Sequence, residues 1–132
     1  MLIEIDHHIG IPIYRQVIRQ IRQQIMTGLL KEGEQLETVR DLAARLKVNP
    51  MTISKAYSSL EAEGLLERRR GIGLFVVGLK KEKREQLKDE LLSAVLERAA
   101  ITAIQLDVSE EKALKFFRQL YQSYNSKDGG ET

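Results

Sequence analysis

The chain has no cysteine, no tryptophan, two prolines and two histidines, and no apolar run near the ~20 residues that a membrane-spanning helix needs. Without cysteine there is neither a disulfide framework nor a thiolate metal site, which fits a cytosolic protein. The histidines, His7 and His8, are adjacent, with no carboxylate cluster at ligand spacing and no nucleophile paired with a base. No metal, no cofactor and no enzymatic activity are therefore expected. Met1–Asp6 lacks the basic region and long apolar stretch of a signal peptide, so the expected location is the cytoplasm, at the nucleoid if the chain binds DNA. Charge of one sign is also scarce, for the net charge is only +2. That is too little to establish nucleic-acid binding, so its distribution matters more than its sum.

Residues 1–38 carry four Lys/Arg against five Asp/Glu, residues 39–77 seven against four, and residues 78–132 ten against ten. The positive excess sits in the middle third, where the local signals are also most ordered. Thr38 is a candidate N-cap with Asp41 three residues on, and Val39, Leu42, Ala43 and Leu46 line one face of a short helix. Lys47-Val48 makes a brief break. Asn49-Pro50 then pairs an N-cap with a first-turn proline, opening a helix with Ile53, Ala56, Tyr57 and Leu60 inward and Met51, Thr52, Ser54 and Lys55 outward. Gly64 ends it. Two helices joined by so short a turn cross steeply, as in a helix-turn-helix.

Leu65–Arg70 and Leu74–Val77 flank Gly71-Ile72-Gly73 and read as a β-hairpin with Arg68-Arg69-Arg70 toward its tip, where arginines suit phosphates or a narrow minor groove. The Gly-x-Gly is not a nucleotide loop, because a strand and not a helix follows it. Ahead of this unit, Ile13, Val17, Ile21 and Ile25 recur at spacing four with Tyr14 and Ile18 alongside, while Arg15, Arg19 and Arg22 fall largely on the other side. Pro12 opens and Gly28 closes that helix. Met1–Ile5 alternates weakly, as a short extended segment would, and Leu29–Leu36 is a connector turning at Gly33.

Beyond residue 79, Leu87, Leu91, Val95 and Ala99 form a stripe beside Leu92, Leu96 and Ala103. Leu106-Asp107-Val108 breaks the pattern, Ser109 caps a second helix, and Ala113, Phe116, Phe117, Leu120, Tyr121 and Tyr124 supply another apolar face. Two such helices cannot bury both faces within themselves, so a two-fold dimer is expected, with Leu87, Leu91, Val95, Phe116, Phe117 and Leu120 in its seam. The expected division is a winged helix-turn-helix over 1–78, a helical dimerisation segment over 79–126 and a disordered tail over 127–132. The expected fold class is mainly α with a small β-hairpin wing.

Pro12–Gln16, Gly28–Leu30, Val39–Ala43, Val48–Tyr57, Leu60–Leu65 and Arg69–Val76 together resemble the GntR family of bacterial transcription regulators, in order and at the family's spacing over about residues 10–77. The resemblance implies a homodimer on near-palindromic operator DNA, recognition helix in the major groove and wing in the minor groove. It assigns Arg40, Asn49, Met51, Thr52 and Ser54 to the DNA face and Arg70 and Gly71 to the wing tip; Arg69 is grouped with them, and Lys55 is expected on a phosphate. The short two-helix C-terminal part is similar to the YtrA-type subfamily, which implies a repressor near transporter operons of the ABC type. Glu32-Gly33 and Glu37-Thr38 stand where the family usually has Pro-Gly and Pro-Ser, and Glu37 brings a carboxylate near the expected phosphate path. A small-molecule effector acting through the dimer seam stays open. The rival reading is a winged helix used for protein or RNA contact, which would call for a bland wing; Arg68-Arg69-Arg70 speaks against it.

Overall fold

In the computed structural model the isoleucine–valine stripe of the first segment winds into α1 (Ile13–Thr27), burying Val17, Ile18, Ile21 and Ile25. Gly28 ends it at φ +83°, a left-handed position that glycine takes without strain. The structure describes the backbone of residues 1–131 and the side chains of residues 1–126; the tail expected over 127–132 lies outside the residues whose side chains are described. Two compact units are distinguished, Met1–Arg84 and Glu85–Thr132.

In the first unit α2 (Val39–Leu46) starts where the Thr38 hydroxyl accepts the Asp41 N–H at 3.1 Å. It ends at Lys47, which takes φ 57° and so supplies the sharp turn into the next helix without a glycine. Helix α3 (Pro50–Ala62) opens with the Asn49 carboxamide oxygen accepting the Met51 N–H at 2.8 Å. Its inward residues Ile53, Ala56, Tyr57 and Leu60 are all buried, against α1 on one side and α2 on the other. The Tyr57 hydroxyl, raised in pKa mainly by its burial, donates to the Glu37 carbonyl at 2.7 Å and ties the start of α2 to α3. Arg22 and Glu63 pair between α1 and the end of α3.

Strands β1 (Leu66–Arg69) and β2 (Gly73–Val76) pair antiparallel, Leu66 opposite Val76 and Arg69 opposite Gly73. The connector ahead of α2 adds to this hairpin. Val76 N–H donates to the Glu34 carbonyl, Leu36 N–H donates to the Leu74 carbonyl, and Gln35 forms a bridge with Phe75. The connector therefore covers the free edge of β2, which a turn-only reading of Gly33 did not foresee.

The N-terminal segment is held by side chains instead of a sheet. Gln16, Gln20 and Gln24, one turn apart on α1, hydrogen-bond the backbone of Asp6, Glu4 and Leu2 respectively. Ile3, between Leu2 and Glu4 in that segment, is buried. Gln16 is itself buried, and its amide is satisfied by the Asp6 N–H and by the carbonyls of Asp6 and Ile11.

The second unit holds most of α4 (Lys81–Gln105) and all of α5 (Glu110–Glu131). Asp107, at φ 56°, turns the chain between them, and Ser109 caps α5 by accepting the Lys112 N–H at 3.2 Å. Among the described residues the two helices do not pack closely along each other. Their apolar side chains stay open in the single chain: Val95 is 59% exposed, Phe116 48%, Phe117 47% and Leu120 58%, and Leu91 is half-buried. Leu87 differs, being already buried. No helix among the described residues is long and apolar enough to cross a membrane.

Candidate nucleic-acid interface

The first turn of α3 presents an exposed, largely polar surface. Met51 is 73% exposed, Lys55 is exposed, and Thr52 and Ser54 are half-buried beside them. The opposite face of the same helix is locked into the core through Ile53 and Tyr57, so these outward side chains are presented on a rigid support. The Asn49 oxygen is occupied as the helix cap, which leaves its amide N–H groups as the free donors.

The structure brings Tyr14 of α1 to this surface. The Lys55 ammonium lies 3.9 Å from the Tyr14 ring centroid, and an open groove of about 490 Å³ is lined by Tyr14, Met51, Thr52, Ser54, Lys55 and Ser58. Arg15 Nε donates to the Tyr14 phenol oxygen at 3.4 Å; that bond, followed by the Lys55 charge, holds the phenol's pKa below its ordinary value. Tyr14 was legible in the sequence only as a flank of an apolar stripe; its contact with Lys55 spans two helices.

Arg40 is exposed near the start of α2 and has no ion-pair partner among the described residues. Glu37, the carboxylate expected to disturb this region, is gripped by Arg45, whose Nε and Nη2 donate to its two oxygens at 3.1 and 3.0 Å. That bond is the main cause raising the Arg45 pKa above its usual value. The fork cancels the local negative charge that Glu37 would otherwise add beside Arg40.

The wing arginines separate into different environments. Arg68 pairs with Glu61 at 3.3 Å. Arg69 stacks over the Phe75 ring at 4.0 Å and reaches Glu67 at 3.6 Å. Arg70 stands at the turn with no ion-pair partner among the described residues, next to Gly71 at φ +77°. The Ile72 N–H closes that turn onto the Arg69 carbonyl at 3.0 Å, and Gln35 Nε2 donates to the Ile72 carbonyl at 3.0 Å. The turn that carries Arg70 is thus braced from the connector. A side chain at position 71 would be strained at that φ, which is why glycine serves there.

The site therefore presents two free cations, Arg40 and Arg70, and a ring-supported Lys55, around a rigid polar helix end. Such a surface can dock a helix into a major groove while cations meet the backbone on either side.

Three comparisons bear on this surface. The family described as "Bacterial regulatory proteins, gntR family" matches residues 13–76. The HTH-type transcriptional repressor YtrA of Bacillus subtilis (strain 168) is 34% identical over 119 residues, spanning 90% of this chain and 92% of that protein. Among solved structures, a GntR family transcriptional regulator from Listeria monocytogenes superposes with a TM-score of 0.75 at 31% identity, over 87% of this chain and 98% of that one. AraR(DBD) in complex with operator ORX1 superposes with a TM-score of 0.51 at 28% identity, over 58% of this chain and 96% of that one.

Proposed function

This chain belongs to the GntR family of bacterial transcriptional regulators, and from that premise we propose that it is a repressor that binds a near-palindromic operator as a homodimer. The observation that carries the reading is the capped, outward first turn of α3 set between the free Arg40 and Arg70. Met51, Thr52 and Ser54 face base edges in the major groove, joined by the Asn49 amide. Lys55 and Arg40 meet phosphates, and Arg70 and Gly71, backed by Arg69, enter the adjacent minor groove. The operator complex of AraR supports duplex DNA as the partner. The exposed apolar side chains Val95, Phe116, Phe117 and Leu120, with the half-buried Leu91, support pairing of α4 and α5 with a second copy. An effector would act by changing the geometry of that seam.

Selection of random duplexes by the purified chain, followed by sequencing, tests the reading. Two inverted half-sites, one helical turn or a multiple apart, are expected. A single unrepeated site would remove the dimer, and no enrichment would return the chain to the rival role of protein or RNA contact.

The wing carries its own prediction. Arg70→Ala removes one wing cation per protomer from the minor groove and the phosphates that flank it, so affinity should fall on selected and scrambled duplexes alike. The slope of log affinity against log salt should flatten by about one for each phosphate no longer neutralised. Fluorescence anisotropy titrations between low and physiological salt measure both, and an unchanged slope would take Arg70 off the DNA.

A further inference from the structure

The arginines of α1 are not an even solvated stripe. Arg15 is hydrogen-bonded to the Tyr14 phenol, Arg22 is held by Glu63, and Arg19 is exposed with no hydrogen-bond or ion-pair partner among the described residues. All three, with Tyr14, Ile18 and Ser59, line one open groove of about 340 Å³. Tyr14 is also a wall of the groove along the outer face of α3, where Lys55 rests on its ring. One tyrosine therefore joins the polar end of the recognition helix to a basic face on a different helix.

We propose that the DNA phosphate track continues from Lys55 across Tyr14 onto α1, where Arg15 and Arg19 each hold a backbone phosphate and the Glu63-bound Arg22 marks its end. This rests on the DNA-binding reading above and adds to it two residues on a helix that reads no bases. Charge complementarity and continuity with the α3 surface identify the occupant as a phosphodiester backbone. One turn of helix separates the two arginines by about 6 Å, while each DNA strand carries one phosphate per roughly 3.4 Å of axis, so they reach different phosphates. Tyr14 acts as a positioning residue, holding Lys55 on its face and Arg15 on its hydroxyl.

The test uses the full chain and a duplex recovered by the selection experiment, beside a scrambled duplex of equal length. The Arg15→Gln/Arg19→Gln variant should flatten the salt slope by about one for each arginine replaced. Its affinity should fall by the same factor, roughly tenfold or more, on both duplexes. Arg15→Lys/Arg19→Lys should keep most of the slope, and Arg22→Gln should leave it unchanged while lowering the melting temperature. Thermal melting of each variant verifies the fold. A steep wild-type slope matched by the glutamine variant overturns the α1 track while leaving the DNA-binding reading intact. A loss confined to the selected duplex also overturns it, since phosphate contact is blind to sequence. Absence of salt-dependent duplex binding by the wild type defeats the underlying reading instead. As a second measurement, neutral methylphosphonates placed at single backbone positions should weaken the wild type at sites where they do not weaken the glutamine variant. Equal sensitivity of both proteins at every position overturns the assignment.

Discussion

Phe117→Glu combined with Leu120→Glu should leave the chain monomeric and lower its affinity for a two-half-site operator by roughly 10²–10⁴-fold, the range that linking two modules contributes. Both side chains are exposed on α5, at 47% and 58%. In a single chain the glutamates stay solvated and cost little. In a dimer seam they would sit unpaired in an apolar contact, where desolvation of the charges opposes association. Light scattering behind size exclusion reads the assembly, and anisotropy on duplexes with one or two half-sites reads the linkage. The variant should bind one half-site as the wild-type chain does and lose only the advantage of the second. A variant that still dimerises, or that keeps the two-site advantage, would show that the copies pair elsewhere.

The second large effect lies under the recognition helix. Ile53 is fully buried on α3, between Thr52 and Ser54 in sequence, so one residue both packs the core and sets the aim of its neighbours. Ile53→Ala should destabilise the first unit by about 2–5 kcal/mol, from lost transfer energy and the cavity left behind. Against a typical total of about 5–15 kcal/mol, that is a large fraction of the fold. For a domain of this size the melting temperature should drop on the order of 10–30 °C. Ile53→Val, which removes one methylene, should cost only about 0.5–1.5 kcal/mol. Denaturant unfolding of the three proteins gives the comparison. If Ile53→Ala costs less than the valine variant is expected to cost, the site collapses around the deletion and α3 is held mainly by Tyr57 and Leu60.

The helices of the first unit were legible because their signals are local. Thr38 with Asp41, Asn49 with Pro50, and Gly28 each act on backbone groups within one turn, and each appears in the structure as read. The inward face of α3 follows from a spacing of three and four, and all four of its residues are buried. The wing hairpin was legible from two apolar-bearing runs around a glycine turn, and its register keeps Leu66 and Val76 together in the core. The C-terminal helices were legible too, with the break at Asp107 and the cap at Ser109.

Several features of the site were not. Nothing near Glu37 shows that Arg45, eight residues away, closes over it, or that Arg45 also donates to the Met1 carbonyl. Three consecutive wing arginines look alike in sequence, yet only Arg70 escapes a carboxylate. Gln35 braces a turn 37 residues on. The glutamines of α1 recur at spacing four, but the sequence does not show their partners in the N-terminal segment, which lie 10 to 22 residues away.

Sequence alone therefore determined which segments become helices and hairpin, and which faces of the first unit turn inward, because caps, turns and apolar periodicity operate over three or four neighbouring residues. Tertiary structure alone decided which charges remain free for DNA. A cation's availability depends on the carboxylates and rings that folding carries to within a few ångströms of it, and chain distance does not encode that proximity.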